Sequence, residues 1–153
     1  MLRGFEGKRP AGKPKQISKG IYLIRSMDKW LGNGGMPLLE EFGVELTEYG
    51  EGWVEGTWNP NGPVQGGISA AVADAVMAFA TFAALERGER CTLIEMKLSY
   101  LLGIVKGDKL RIRGEVVRLT RKIAFCRAII FRADGEVAVE ATGTNLLMLE
   151  NHT

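Results

Sequence analysis

Residues 59–85 read NPNGPVQGGISAAVADAVMAFATFAAL, in which a loop dense in glycine and proline leads straight into a long apolar run. Clusters of Asn, Gly and Pro are typical of turns, so the first nine residues predict a loop. The run over residues 68–85 has no polar stripe, which predicts a helix buried on all sides. Eight of its eighteen residues are alanine. Because alanine is small, we expect a sheet to curve closely around this helix.

Four later segments alternate apolar and polar residues with the period of two that half-buried strands require. They span residues 93–102, 109–117, 122–131 and 136–148. In the first of them, Ile94, Met96 and Leu98 share one predicted face of the strand. Because the connections between these segments are short, they predict an antiparallel meander.

The part of the chain before residue 59 predicts three further elements. Residues 44–58 form two short alternating runs around Gly50 and Gly52, which is typical of a β-hairpin. Apolar residues recur at helical spacing over residues 18–31, and Pro37 can open a short helical turn that Gly43 ends.

The chain is predicted to be one domain with a tail. Residues 1–16 combine Gly, Pro and Lys and predict a flexible basic tail. Residues 17–153 are predicted to form a single α+β domain, in which an antiparallel sheet wraps around one long central helix and an N-terminal helix precedes it.

The bulk composition narrows the possible partners and compartment. The net charge of +2 gives no basis for a nucleic-acid or membrane-surface partner. The first fifteen residues lack the apolar stretch of a signal peptide. Two cysteines match no metal or redox motif and predict reduced thiols in a cytoplasmic protein. The apolar run is disfavoured as a membrane span because a charged residue interrupts it and alanine contributes weak hydropathy.

That charged residue is Asp74, the only one between Glu55 and Glu86. A buried, unpaired carboxylate is unfavourable, so it must be hydrogen-bonded, protonated, or placed where substrate and water arrive. Two interpretations follow. Asp74 is structural, either on a helix face that reaches solvent or bonded to neighbouring hydroxyls, or it is a functional group in an apolar setting.

The start of the predicted helix is a second candidate feature. Gln65, Gly66 and Gly67 lead directly into it, so the first backbone N–H groups have no intrahelical partner. The helix dipole adds partial positive charge there, and glycine lets a ligand approach the backbone. These properties suit a carbonyl oxygen that becomes negative during acyl transfer. The alternative is a tight loop that requires glycine for its shape only.

Six residues of this region form the pattern N-x-x-G-x-x-Q-G-G-x₆-D, namely Asn59, Gly62, Gln65, Gly66, Gly67 and Asp74. The pattern resembles the active-site motif of hotdog-fold acyl-CoA thioesterases of the phenylacetate-degradation (PaaI-like) type. The later stretches IEMKLSYL and GDKL are also similar to that family. The resemblance covers roughly residues 36–148 and implies the hotdog fold, an antiparallel sheet around a central helix.

What the resemblance implies is hydrolysis of acyl-CoA thioesters to the free acid and CoA. By it, Asp74 is the nucleophile or the general base that activates water. The Gly66 N–H polarises the thioester carbonyl, and Asn59 helps to place substrate or water. No metal and no cofactor are expected, apart from coenzyme A as part of the substrate.

The spacing of Gly66 and Asp74 adds a geometric expectation. They are eight residues apart, which is about 12 Å along one helix axis at about 1.5 Å per residue. Reacting atoms must approach within about 3–3.5 Å. One subunit cannot supply both groups to one carbonyl unless a large substrate spans them, whereas two helices side by side can. We therefore expect a homo-oligomer, a dimer or a dimer of dimers, in agreement with the interface sites of the family.

Two positions depart from the family pattern. The family usually carries histidine before the two glycines, where this chain has Gln65, which cannot exchange protons near neutral pH. Relatives often start the strand after the helix with a hydroxyl residue, and here that position is Leu93 with Thr92 beside it. Thr92 is the candidate for this substrate-binding role.

Further substrate contacts are assigned by charge and position. Arg118, Arg121 and Lys122 cluster at a predicted strand-to-strand turn and are candidates for the phosphates of coenzyme A. Gly67 adjoins the carbonyl site, and Met77 is a candidate for lining the pocket near Asp74. A nucleic-acid partner is not expected, because aromatic residues do not alternate with the basic residues of this region.

Rival hypotheses remain beside the thioesterase. A non-catalytic hotdog protein that binds acyl-CoA or another acyl ligand would explain Gln65 as a mark of lost activity. A structural or partner-binding homodimer would bind no such ligand. A hotdog dehydratase is disfavoured, because it requires a histidine paired with a carboxylate and the single histidine, His152, lies one residue from the end.

Overall fold

A computed structural model describes residues 30–85 and 90–148. The elements in chain order are α1 (Pro37–Phe42), β1 (Val44–Gly50), β2 (Trp53–Trp58), α2 (Gly66–Phe82), β3 (Arg90–Tyr100), β4 (Leu110–Leu119), β5 (Ile123–Phe131) and β6 (Val137–Met148). The predicted tail over residues 1–16, and the predicted helix over 18–31 apart from its last two residues, lie outside the described residues.

The strands form one six-stranded sheet in the order β1-β2-β4-β5-β6-β3, and every neighbouring pair is antiparallel. Helix α2 packs on one face of this sheet and contacts β2, β3, β4, β5 and β6. The predicted α+β class, with a sheet curved around one long helix, is confirmed. The predicted hairpin is β1–β2, whose turn contains Gly52 with a φ of 76°.

The predicted meander is correct for β4, β5 and β6 but wrong for β3. Instead of pairing with β4, strand β3 lies at the edge of the sheet beside β6. The connection over residues 101–109 makes this possible, because nine extended residues can span about 30 Å. It begins where the Leu101 N–H donates to the Ala138 carbonyl (2.8 Å) and later meets the Pro60 carbonyl through the Gly107 N–H (2.9 Å).

Helix α2 sits directly on the backbone of β4. A Cβ atom at Gly114 would overlap the carbonyl group of Val76, so only glycine allows this approach. The core around the contact is apolar, and its fully buried members include Val72, Val76, Met77, Ala80, Ile112 and Ile130.

The prediction that α2 is buried on all sides is wrong for the single chain. Gly67, Ala71, Asp74 and Ala78 recur every three or four residues and remain exposed or half-buried. The sheet covers the opposite side of the helix only, which leaves this open stripe. Among the residues that the structure describes, no helix has both the length and the hydrophobicity needed to cross a membrane.

Candidate functional site

The N-terminus of α2 presents backbone donors to solvent. Its N-cap residue is Gln65, whose side chain makes no capping hydrogen bond. The N–H groups of Ile68 and Ser69 donate to the Gln65 carbonyl oxygen, at 2.9 and 3.4 Å. Within residues 30–85 and 90–148, the N–H groups of Gly66 and Gly67 have no acceptor. The first turn therefore offers two adjacent donors at the positive end of the helix dipole.

The two glycines meet different surroundings. A Cβ atom at Gly66 would lie 3.2 Å from the ring and the hydroxyl of Tyr100, so the Tyr100 ring occupies the space that a side chain would need. A Cβ atom at Gly67 would meet nothing within 4 Å. Neither residue has a positive φ. Glycine at position 66 is thus explained by close packing, whereas glycine at position 67 leaves an open path to the backbone.

A pocket of about 290 Å³ opens beside this turn. Its polar lining includes Gln65, Gly66, Ser69 and Tyr100. The remaining lining is mostly apolar and comes from residues 101–104, Val64 and Val139. The volume is close to the lower end of small-molecule sites, about 300–1,000 Å³. A pocket with both polar and apolar lining, next to free N–H donors, suits a carbonyl compound with an apolar substituent.

Asp74 lies on the open stripe of α2, two turns after Gly66. Burial raises the pKa of its carboxyl group above the ordinary value of 3.8. No group in the described part of the chain donates a hydrogen bond to the carboxylate. The interpretation that Asp74 is bonded to neighbouring hydroxyls therefore fails for these residues. An accessible carboxylate with a raised pKa remains, which is the form that a general base or a nucleophile requires.

Cys91 of β3 lies close to Asp74, which the sequence did not indicate. Burial, the charge of Cys126 and the charge of Asp74, in decreasing order, raise the pKa of the Cys91 thiol to about 11. Since the thiolate is the reactive form, a thiol with this pKa is a poor nucleophile at neutral pH. Cys91 is therefore a neighbour of the carboxylate and not a competing catalytic group.

A buried polar cluster anchors the second half of α2 to the sheet. The Thr81 hydroxyl donates to the Met77 carbonyl at 2.9 Å and accepts a hydrogen bond from the Asn145 side chain, also at 2.9 Å. The Cys126 sulfur lies 3.2 Å from the same hydroxyl. Burial raises the pKa of Cys126, while hydrogen bonding with Thr81 and Asn145 opposes the shift. The cluster satisfies the hydrogen-bonding capacity of these buried polar atoms. It also holds α2 against the sheet on the C-terminal side of Asp74.

The other predicted site residues lie in different places. Asn59 is exposed and lines a separate pocket of about 380 Å³ with Glu40 and Gly43. Its N–H donates to the Gly43 carbonyl at 2.9 Å. Gln65, Gly66 and Gly67 are together at the helix start. Gln65 and Gly66 line the pocket of about 290 Å³, whereas Asn59 does not. A role for Asn59 in placing substrate stays a prediction.

Thr92 and Met77 do not face a pocket in the single chain. Thr92 is exposed, whereas the Leu93 side chain points towards α2 and lies near Met77 and Gly143. Adjacent strand residues point to opposite faces, so Thr92 lies on the outer face. The Met77 side chain is fully buried against Gly143. Their substrate contacts stay predictions, and the described chain does not bring Thr92 next to Asp74.

Three exposed basic residues lie at the turn between β4 and β5: Arg118, Arg121 and Lys122. This basic turn follows the part of β4 that borders the C-terminal end of α2. Gly52 joins the two, because its N–H donates to the Ala83 carbonyl (3.3 Å) and its carbonyl accepts from the Val116 N–H (2.7 Å). Within one chain, the basic turn therefore lies at the opposite end of α2 from Gly66. No group of three metal-ligating side chains occurs among the described residues.

Comparisons with known proteins agree with this architecture. The family model of the thioesterase superfamily matches residues 61–139. A Haemophilus influenzae protein provisionally described as an esterase is 25% identical over 112 residues, which cover 69% of this chain and 78% of the relative.

Solved structures show the same fold at low sequence identity. The Escherichia coli PaaI protein from the phenylacetic acid degradation operon has a TM-score of 0.71 and 14% identity, with 85% of this chain and 94% of that chain covered. The Streptococcus mutans protein smu.793, solved with acetyl-CoA, has a TM-score of 0.64 and 18% identity, with coverage of 69% and 88%. The chain belongs to the thioesterase superfamily and has the hotdog fold of the PaaI-like type.

Proposed function

We propose that the protein hydrolyses acyl-CoA thioesters to the free acid and CoA. The observation that carries this proposal is the accessible Asp74 carboxylate with its raised pKa, on a helix whose N-terminus presents two free N–H groups. Family membership supports it. So do structural relatives, one solved with acetyl-CoA and another, a hypothetical thioesterase of Streptococcus pneumoniae, solved with coenzyme A.

The proposed chemistry divides between the two ends of the site. The Gly66 N–H, with Gly67 beside it, donates to the thioester carbonyl oxygen and stabilises the negative charge that develops there. Asp74 takes a proton from water, whose oxygen attacks the carbonyl carbon, and the C–S bond then breaks. The thiolate of CoA leaves and takes up a proton. In the nucleophilic alternative the carboxylate attacks the carbonyl carbon first, the C–S bond breaks and the CoA thiolate leaves, and water then hydrolyses the resulting anhydride and restores the Asp74 carboxylate.

The active form is proposed to be a homodimer, alone or within a dimer of dimers. A single α2 helix separates Gly66 from Asp74 by about 12 Å, so each site takes one group from each chain. The open stripe of α2 has small residues, Gly67, Ala71 and Ala78, that let a second helix approach. Strand β3 pairs on one side only in the described sheet, and an unpaired edge can accept another copy.

The same arrangement suggests where the nucleotide end of CoA binds. Gly66 and Phe82 are about 24 Å apart along α2, and the basic turn lies beyond Phe82. If two α2 helices run antiparallel, with Asp74 of one chain opposite Gly66 of the other, the nearer basic turn belongs to the chain that supplies Asp74, because its Phe82 lies only about 12 Å beyond Asp74. We therefore propose that the CoA phosphates bind the basic turn of the subunit that supplies Asp74.

One observation favours a second candidate function. Gln65 is exposed and makes no capping hydrogen bond, and its amide cannot exchange protons at neutral pH. A hotdog protein without the usual histidine could bind acyl-CoA or another acyl ligand without turnover. The proposed enzyme requires no metal and no cofactor other than the CoA of its substrate, and a cytoplasmic location stays a prediction.

A panel of acyl-CoA thioesters, varied in chain length and in aryl groups, separates these functions. A thiol-reactive dye reports released CoA, and the melting temperature reports binding. Turnover that Asp74→Asn abolishes supports the thioesterase. A rise in melting temperature with each acyl-CoA but no turnover would support the binding protein instead. If the panel gives neither turnover nor a rise in melting temperature, both proposals are contradicted and the structural homodimer remains.

A further inference from the structure

We propose that Tyr100 is a positioning residue that fixes the Gly66–Gly67 peptide in the first turn of α2 and thereby aims the Gly67 N–H at the thioester carbonyl, beside the Gly66 N–H. This inference rests on the proposed function and adds a residue outside the motif. Tyr100 is the last residue of β3 and lies 34 positions from Gly66 in the chain.

The contact between the two residues is both polar and steric. The Tyr100 hydroxyl donates a hydrogen bond of 2.7 Å to the Gly66 carbonyl oxygen. The ring stands where a Gly66 side chain would be, at 3.2 Å from the position of a Cβ atom. The backbone next to Tyr100 is itself held, because the N–H groups of Leu101 and Leu102 both donate to the Ala138 carbonyl, at 2.8 and 3.1 Å.

The first turn of α2 needs such support. It begins with two glycines, which have more backbone freedom than other residues. Its N-cap side chain makes no hydrogen bond that would restrict it. The Gly66 carbonyl belongs to the same peptide plane as the Gly67 N–H. A donor that fixes this carbonyl therefore fixes the direction of that N–H, and it also increases the polarity of the peptide.

Two other roles for Tyr100 would give different results. It could only stabilise the fold, or its ring, which lines the 290 Å³ pocket, could bind substrate directly. Loss of a merely stabilising contact lowers the melting temperature but leaves kcat unchanged. Loss of a substrate contact raises KM. Loss of positioning lowers kcat while KM stays nearly constant, because the donors matter most in the transition state.

The test is Tyr100→Phe, which keeps the ring and removes only the hydroxyl, with Ser99→Ala as the matched control. Ser99 is the exposed neighbour in β3, and its substitution also removes one hydroxyl. We expect kcat of Tyr100→Phe to fall about 3–10-fold, the effect of one neutral hydrogen bond, with KM within about twofold of wild type. The Ser99→Ala variant should match wild type.

A spectroscopic measurement tests the inference without activity. In ¹H–¹⁵N spectra of the full chain, the Gly67 amide resonance should move in Tyr100→Phe and stay in place in Ser99→Ala. An unchanged kcat, a raised KM at constant kcat, or an unmoved Gly67 resonance would each overturn the inference. If the wild-type protein shows no turnover at all, the proposed function fails, and the Gly67 resonance alone then decides whether Tyr100 fixes the turn.

Discussion

Asp74 follows Gly66 by two turns of the same straight helix, which holds the carboxylate about 12 Å from the first free N–H group along the axis. Neither group can move towards the other without breaking α2. Under the proposed mechanism one carbonyl therefore reaches both groups only if two chains contribute to the site, and the two halves of such a site should be separable by mutation.

Subunit mixing tests this separation. Asp74→Asn removes the carboxylate, and Gly67→Val places a side chain in the open space before the N–H groups. Each variant alone should be nearly inactive. After co-refolding at equal amounts, half of the dimers are mixed and each contains one intact site, so we expect activity to recover to roughly a quarter of wild type. Recovery that stays at zero, with mixed dimers present by native mass spectrometry, would contradict a shared site.

Asp74→Asn should lower activity and raise stability together. Asparagine keeps the volume but supplies neither a base nor a nucleophile, so kcat should fall about 10²–10⁴-fold. The pKa of Asp74 is raised in the folded chain. Between the ordinary and the raised value, the folded state keeps a proton that the unfolded state has lost. Stability therefore falls as pH rises through this window and remains lower at neutral pH.

The variant should consequently melt at a higher temperature than wild type at pH 7 and at the same temperature near pH 3, as measured by circular dichroism. Asp134→Asn is the matched control. Asp134 lies in the exposed turn between β5 and β6 and accepts a hydrogen bond from the Glu136 N–H at 2.9 Å, which asparagine preserves. An equal rise in both variants would show that the effect does not come from Asp74.

The pH dependence of the rate should show one ionisation on the acid side. Activity requires the Asp74 carboxylate, so kcat/KM should fall as pH drops through its raised pKa and should level off towards alkaline pH. Gln65→His should keep or raise activity and can add an ionisation near the unperturbed histidine value of about 6.5. Gln65 is exposed and makes no capping hydrogen bond, so Gln65→Ala should remove at most one hydrogen bond to substrate and raise the barrier for kcat/KM by about 0.5–1.5 kcal/mol. If Gln65→Ala equals wild type at every pH, Gln65 has no role in the reaction.

The two adjacent glycines form a matched pair of substitutions. Within one chain, alanine at position 67 meets open space and no positive φ, so better helix propensity should stabilise the folded subunit by up to about 1 kcal/mol. The same methyl group stands before the free N–H groups and should lower kcat/KM. At position 66 alanine must displace the Tyr100 ring, so stability should rise less or fall. Denaturant titrations and rate measurements on Gly67→Ala and Gly66→Ala test whether alanine stabilises the fold more at position 67 than at position 66. Equal changes in stability at the two positions would contradict this prediction.

The reactivity of Cys91 reports the charge of Asp74. Because the pKa of this thiol is raised to about 11, alkylation should be slow at pH 8 and should increase with pH up to that value. Peptide mapping by mass spectrometry follows Cys91 separately from the buried Cys126. In Asp74→Asn the midpoint should move to lower pH, because one source of negative charge is gone. Rapid alkylation of Cys91 at pH 7 would contradict the raised pKa.

Local patterns predicted most of the elements. The alternation of residues in β4, β5 and β6 depends on near neighbours in the chain, and so does the apolar run of α2. The register of β3 was harder to predict from the sequence. Ile94 was expected on the same face as Met96 but is 54% exposed, because the pairing with β6 shifts between Leu93 and Glu95. A bulge of this kind moves side chains to the other face and leaves no mark in the alternation.

The site was only partly predictable, for a different reason. The relative positions of Gly66, Gly67 and Asp74 could be predicted from their spacing in the motif, because all three residues lie on one helix. The hydrogen bond of Tyr100 to Gly66 and the electrostatic effect of Asp74 on Cys91 depend on how β3 docks, and the sequence contains no periodicity that relates such distant residues. The open stripe of α2 was missed because alanine occupies both its buried and its open positions, so the pattern shows no contrast between faces.

Strand β6 lies between β5 and β3 in the sheet, although it is the last described strand in the chain. During synthesis, β3 therefore leaves the ribosome well before β6, its one partner among the described strands. Until residues 137–148 emerge, both edges of β3 are free to join other nascent chains. Completion of the sheet thus becomes a late event in the life of the new polypeptide. Premature termination before residue 137 would release a chain that lacks this partner strand and is prone to aggregate.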